Sequence, residues 1–160
     1  MGDYLRLNYY IKPDDLVGIK LERSEWMIVA IMGVLKSGGA YVPIDPDYPK
    51  ERIDFMVNDS ACKVLIDDKE LDQFIKTHKR YSQKNLLVGL KPNNLMYCIY
   101  TSGSTGNPKG CLLEHGGVSN YLTWMQRTYD KNVLGKTMDM FSSLSFDFTL
   151  SLIHIYAADE

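Results

Sequence analysis

Cysteine is scarce and unpatterned in this chain: Cys62, Cys98 and Cys111 are three in number, and no C-x-x-C spacing joins them. An odd set of thiols in apolar or strand-like surroundings argues against a disulfide framework and against a zinc site. Buried thiols in a reducing compartment are expected instead, with no metal ligand set. Long apolar runs are also missing. The longest, Trp26–Leu35, is far short of the roughly 20 residues that a membrane-spanning helix requires. The opening "MGDYLRLNYY" mixes acid with base and has no apolar segment of the secretory type. An excess of one charge is lacking too. Eighteen basic and twenty acidic residues leave a net charge of -2, spread along the chain, so neither nucleic acid nor a membrane surface is expected as a partner. Internal repeats and low-complexity segments are absent. A cytoplasmic protein is the expectation.

What is present suits one packed domain: 160 residues, 45% of them hydrophobic. "LVGIKL" (Leu16–Leu21) reads as a short buried strand. Ser24 is a suitable N-cap for the apolar "EWMIVAIMGVLK", which Gly38 and Gly39 stop. "AYVPI" is the next strand, with Pro43 marking it as an edge strand or a strand end. After the turn "DPDYP", a helix beginning near Pro49 places Ile53, Met56 and Val57 on one face. "CKVLIDD" is again extended. Residues 69–90 read as a polar surface connection with a possible short helix in "ELDQFIKTHKRY". "LMYCIY" and "GCLLEH" are strands. "GGVSNYLTWMQRTYD" is helical, with Val118, Tyr121, Leu122, Met125 and Tyr129 on one stripe, and "MDMFSSLSFDF" is extended. Strand alternating with helix at this interval predicts an α/β domain, a partial three-layer arrangement with a mostly parallel sheet.

Between the two late strands lies "YTSGSTGNPKG" (Tyr100–Gly110). Glycines let backbone N–H groups approach an anion; Thr101, Ser102, Ser104 and Thr105 add hydroxyl donors, and Lys109 adds a positive charge. This is phosphate-binding equipment, but not a Walker A loop. Lys109 follows Pro108 and precedes Gly110, and the chain then enters a strand rather than a helix. Without a helix dipole, the hydroxyls and Lys109 carry more of the charge neutralisation. An exposed Gly/Ser hairpin turn is the bland alternative, and eleven residues of this composition disfavour it. Ser102 and Ser104 have no recognisable partnered base, so a serine-hydrolase reading lacks its second member. His115 and His78 read as neutral strand-end and surface histidines.

"LMYCIYTSGSTGNPKG" resembles the phosphate-loop motif of the adenylate-forming superfamily, which includes acyl-CoA synthetases, luciferases and the adenylation domains of nonribosomal peptide synthetases. "LKSGGAYVPID", followed by "PDYPKERIDFMVNDSACKVLI", is similar to an early core motif of the peptide-synthetase branch. "FSSLSFDFT" is similar to the segment in which a Phe-Asp pair holds the substrate α-amino group. The resemblance implies activation of an amino acid by ATP to an aminoacyl-adenylate and pyrophosphate, with Mg²⁺. The aminoacyl group then passes to the phosphopantetheine thiol of a peptidyl carrier domain, and a condensation domain is the neighbouring partner. It further implies that Thr101, Ser102, Gly103, Ser104, Thr105, Gly106 and Lys109 cradle the ATP phosphates, with Lys109 and Thr101 stabilising the pyrophosphate leaving group. Asp147, matching the Phe146-Asp147 pair, would bind the α-amino group, and Phe148 would line the substrate pocket. An unpaired ammonium buried in a pocket is costly, which is why a carboxylate is needed there.

The resemblance covers roughly residues 3–149. The expectation is therefore a partial adenylation domain over 1–149, an incomplete N-terminal subdomain of the adenylate-forming fold that is inactive by itself. The tail "LSLIHIYAADE" (Leu150–Glu160) resembles the translation of a sequencing adapter and is set aside, together with Ser151 and His154. Two alternatives remain: an acyl- or aryl-acid-CoA ligase of the same superfamily, which would not need Asp147, or a non-catalytic nucleotide-binding module.

Overall fold

The computed structural model describes residues 1–101 and 108–128. In chain order these form α1 (Gly2–Tyr9), β1 (Leu16–Ile19), α2 (Glu25–Ser37), β2 (Ala40–Pro43), α3 (Lys50–Ser60), β3 (Leu65–Ile66) and α4 (Asp68–Thr77). A 3₁₀ turn (His78–Arg80), β4 (Leu95–Thr101), β5 (Lys109–Glu114) and α5 (His115–Thr128) follow.

Among the described residues one five-stranded sheet has the order β3-β1-β2-β4-β5. The first four strands run parallel and β5 returns antiparallel to β4. Side chains alternate across this sheet with the strand period of two. Val17, Ile19, Tyr41, Ile66, Tyr97 and Ile99 point to one face, where α1, α2, α4 and α5 bring Leu5, Ile31, Val34, Phe74 and Val118. Val42, Ile44, Cys98 and Tyr100 point to the other, where α3 brings Met56 with Ile53 and Val57 beside it. Helices therefore cover both faces, and the parallel strands read as continuous apolar runs because neither face is wet. The step from β1 to β2 goes one way, the step to β3 goes back, and the step to β4 goes forward again. Right-handed crossovers then put α2 and α4 on one face and α3 on the other. The predicted three-layer, mostly parallel α/β arrangement is the one observed.

Local chemistry explains the boundaries. Gly38 ends α2 in the left-handed region at φ 95°, and its N–H donates to the Leu35 carbonyl at 3.0 Å while Gly39 N–H donates to Val34 at 3.2 Å. Ser24 occupies the N-cap position, but its side chain makes no capping bond; its hydroxyl donates to the Glu22 carbonyl at 3.3 Å. Pro49 is the N-cap of α3 rather than part of its first turn.

Of the two readings of Pro43, strand end holds and edge strand does not: it is the last residue of β2, which is flanked by β1 and β4. A central strand tolerates it because it is the last paired residue, and the next amide, Ile44 N–H, donates to Ile19 at 2.8 Å. The possible short helix after residue 68 is present, as α4. It is capped by Asp67, whose carboxylate accepts the Glu70 N–H at 3.0 Å, and it buries Phe74. The N-terminal α1 was unforeseen. It buries Tyr4 and Leu5, and the Tyr4 and Tyr9 hydroxyls both donate to Oε1 of Glu70 on α4. Burial, followed by the Glu70 carboxylate, pushes both phenols up, Tyr9 to about 12.

Candidate functional site

The strand–loop–strand reading of the Gly-rich segment holds at both stems. β4 ends at Thr101 and β5 begins at Lys109, and the two are direct partners in the antiparallel ladder. The chain thus brings a hydroxyl and an ammonium from opposite ends of the loop to one place. Both residues are exposed, so their polar groups stay available to a ligand. Ser102, Gly103, Ser104, Thr105 and Gly106 lie outside the described residues, as do Asp147 and Phe148.

The residues just inside the stems are tightly held. Tyr100 is 6% exposed and faces α3, where its hydroxyl donates to Asp59 Oδ2 at 2.6 Å. The Phe55 ring meets it edge-on, with centroids 6.5 Å apart and planes at 85°. Across the ladder Tyr100 pairs with Gly110. A Cβ at Gly110 would come within 3.2 Å of Tyr100 Cζ and 3.0 Å of Cys98 Sγ, so a β5 side chain there would press on both and fit only if they gave by a few tenths of an ångström. Burial, then the bond to Asp59, drives the Tyr100 phenol far above its ordinary value. Burial likewise pushes the Cys98 thiol up to about 11.

His115 begins α5. Burial lowers its pKa, partly opposed by Asp14, which agrees with a neutral strand-end histidine. Its Nε2 is enclosed without a hydrogen-bond partner among the described residues. His78 packs against Phe74, ring centroids 6.1 Å apart. All three thiols are free, but of the expected buried set only Cys98 is buried; Cys62 is half-buried and Cys111 exposed. Among the described residues no group of three or more His, Cys, Asp or Glu side chains could hold a metal ion, and no helix is long and apolar enough to cross a membrane.

A cavity of about 370 Å³ lies at the carboxyl ends of β1 and β2, lined by Ile19, Met27, Ile31, Pro43, Ile44 and Asp45 among others. Neither Thr101 nor Lys109 lines it, so this cavity and the described stems of the Gly-rich loop are different places.

Sequence reading assigned no role to Tyr100, Asp59 or Gly110. Tyr100 and Gly110 bracket the quoted loop, and counting outward from Thr101 and Lys109 pairs them. Asp59 is 41 residues away, and no sequence pattern joins it to them.

A family model described as "AMP-binding enzyme" matches residues 1–158. Bacitracin synthase 3 of Bacillus licheniformis is 42% identical over 164 residues, covering 96% of this chain and 2% of that protein. Gramicidin S synthase 1 of Brevibacillus brevis is 43% identical over 152 residues, covering 86% of this chain and 14% of that protein. Among solved structures, the nonribosomal peptide synthetase FmoA3 in its α-methyl-L-serine-AMP bound form superposes with a TM-score of 0.81 at 27% identity. That match covers 98% of this chain and 18% of FmoA3. The chain thus spans a small part of the relatives it matches.

Proposed function

The chain belongs to the AMP-binding enzyme family, and from that premise we propose that it forms the first part of a peptide-synthetase adenylation domain. The enzyme that contains it activates an amino acid with ATP. The amino acid's carboxylate oxygen attacks the α-phosphorus, the bond to the β,γ-diphosphate breaks, and an aminoacyl-adenylate and pyrophosphate result. The pairing of Thr101 with Lys109 across the loop's stems is the observation that carries this reading. A cation and a hydroxyl fixed on adjacent strands can oppose the negative charge that grows on the departing pyrophosphate. Ser102 to Gly106 complete the cradle with backbone N–H groups and hydroxyls. Asp147 pairs with the substrate ammonium, and Phe148 lines the side-chain pocket. Mg²⁺ would accompany the nucleotide phosphates and would offset their charge. The peptide synthetases named above support a carrier domain, with its phosphopantetheine thiol, and a condensation domain as partners. A cytoplasmic setting goes with them.

The boundary at Thr149 belongs to the same proposal, although the family match extends to residue 158. Resequencing the locus decides whether Leu150–Glu160 is native. By itself the chain lacks most of an adenylation site, and no exchange activity is expected from it.

The test is substrate-dependent ATP–pyrophosphate exchange by the complete enzyme. Lys109→Ala should lower exchange by about 100-fold, the scale seen on removing one transition-state donor. Because Lys109 is exposed, its melting temperature should not move. Undiminished exchange would remove Lys109 from the phosphate site. Exchange supported by fatty or aryl acids, and not by amino acids, would favour the acid-CoA ligase reading instead.

A further inference from the structure

Tyr100 poses a question that packing alone does not answer. It sits on a face where Val42, Ile44, Met56 and Cys98 form the buried cluster, and a phenylalanine would fill the same volume. Its hydroxyl instead reaches Asp59 of α3 at 2.6 Å, a charge-assisted bond with a defined direction. Its ring lies across Gly110 of β5, at a position that any side chain there would dispute. One residue therefore ties three elements together: β4 through its backbone, β5 through Gly110, and α3 through Asp59. The next residue along β4 is Thr101, and the residue before Gly110 on β5 is Lys109.

We propose that Tyr100, Asp59 and Gly110 are positioning residues for the adenylation step, fixing the β4–β5 register that sets Thr101 opposite Lys109. The inference rests on the phosphate role of Thr101 and Lys109 given above. In an antiparallel pair a slip of one residue turns every side chain of the strand to the opposite face. Such a slip would part the hydroxyl from the ammonium. Smaller displacements matter as well, since misplacing a reacting group by about 1 Å can cost about 100-fold in rate. The Tyr100 ring resists both, because moving β5 along β4 would drive a Cβ-bearing residue into it.

The experiment is ATP–pyrophosphate exchange by the complete enzyme, with ATP and amino acid varied separately and Lys109→Ala run alongside. Tyr100→Phe keeps the ring and loses the bond; kcat/KM for ATP should fall about 10-fold, on the scale of a lost hydrogen bond to a charged group. KM for the amino acid and the melting temperature should stay near the parent's values. Asp59→Leu should match Tyr100→Phe, and the double variant should be no worse than either alone. Asp59→Asn retains an acceptor for the hydroxyl and should recover most of the activity. Gly110→Ala should lose at least as much as Tyr100→Phe. Parent-like exchange by Tyr100→Phe while Lys109→Ala is crippled would overturn the positioning role alone. So would additive losses in the double variant, or losses that follow the melting temperature and affect both substrates equally. Parent-like exchange by Lys109→Ala would overturn the phosphate reading and this inference with it.

Discussion

The central parallel strand β2 and the returning strand β5 meet opposite fates. In β2 every residue is buried, and Ile31 of the overlying α2 is 1% exposed. In β5, one strand beyond β4, five of six residues are exposed, Leu112 to 55%. The difference lies in what covers each strand, since helices pack on both faces of β1 and β2. Stability and chemistry are thereby separated. The covered strands bear no group able to meet a phosphate, while the exposed hairpin offers Thr101 and Lys109 to solvent. Tyr100 stands at the border, buried like the first region and adjacent to the second.

That contrast can be broken most sharply by truncation. Ile31→Ala should cost about 2–5 kcal/mol, the transfer loss plus a cavity the rigid α2–sheet layer cannot close. Leu112→Ala should stay within about 0.5 kcal/mol. Denaturant unfolding measures both, and similar costs would show that the hairpin is as integral to the core as β2. A smaller effect separates two glycines. Gly38→Ala should destabilise by about 1–2 kcal/mol, because φ is 95° there and a Cβ would meet Val88 Cγ1 at 2.3 Å. Gly117→Ala, in the first turn of α5 with nothing within 4 Å, should be neutral or gain up to about 1 kcal/mol from helix propensity. The smallest perturbation is chemical labelling at neutral pH. The exposed Cys111 should react with a maleimide, while Cys98, 2% exposed, should not. The thiolate is the reactive form, and with the Cys98 pKa at about 11 it becomes populated only as the pH approaches that value. Equal labelling at neutral pH would mean that the inner strand opens as readily as the outer one.

Elements whose own sequence determines them were legible. The α2 stop at Gly38, the strand into and out of the Gly-rich loop, and the α/β alternation all depend on neighbours within a few residues. What depended on distant partners was not legible. α1 is short and mixed in polarity, and its burial comes from α2 and from Glu70. Pro43 marked a strand end or an edge, and only the flanking strands decide between them, because sequence shows the missing N–H but not the neighbours. The polar α4 keeps one narrow stripe, with Phe74 at its centre, that is easily lost among its charges. At the candidate site the pairing of Thr101 with Lys109 followed from the strand–loop–strand reading, and the phosphate role proposed for them rests on residue types that lie close together in the chain. The Asp59–Tyr100 link spans the β3–α4 excursion and leaves no periodic trace.

The strand order has one more consequence, for synthesis. β1 and β2, with α2 between them, are made early and occupy the middle of the sheet. β3 then joins the open side of β1, β4 joins the open side of β2, and β5 joins β4. Each of these five strands finds a free edge on leaving the ribosome, and among them none must be threaded between two that are already paired. A chain that folds as it emerges, N-terminal part first, can therefore extend this sheet outward in the order in which it is translated.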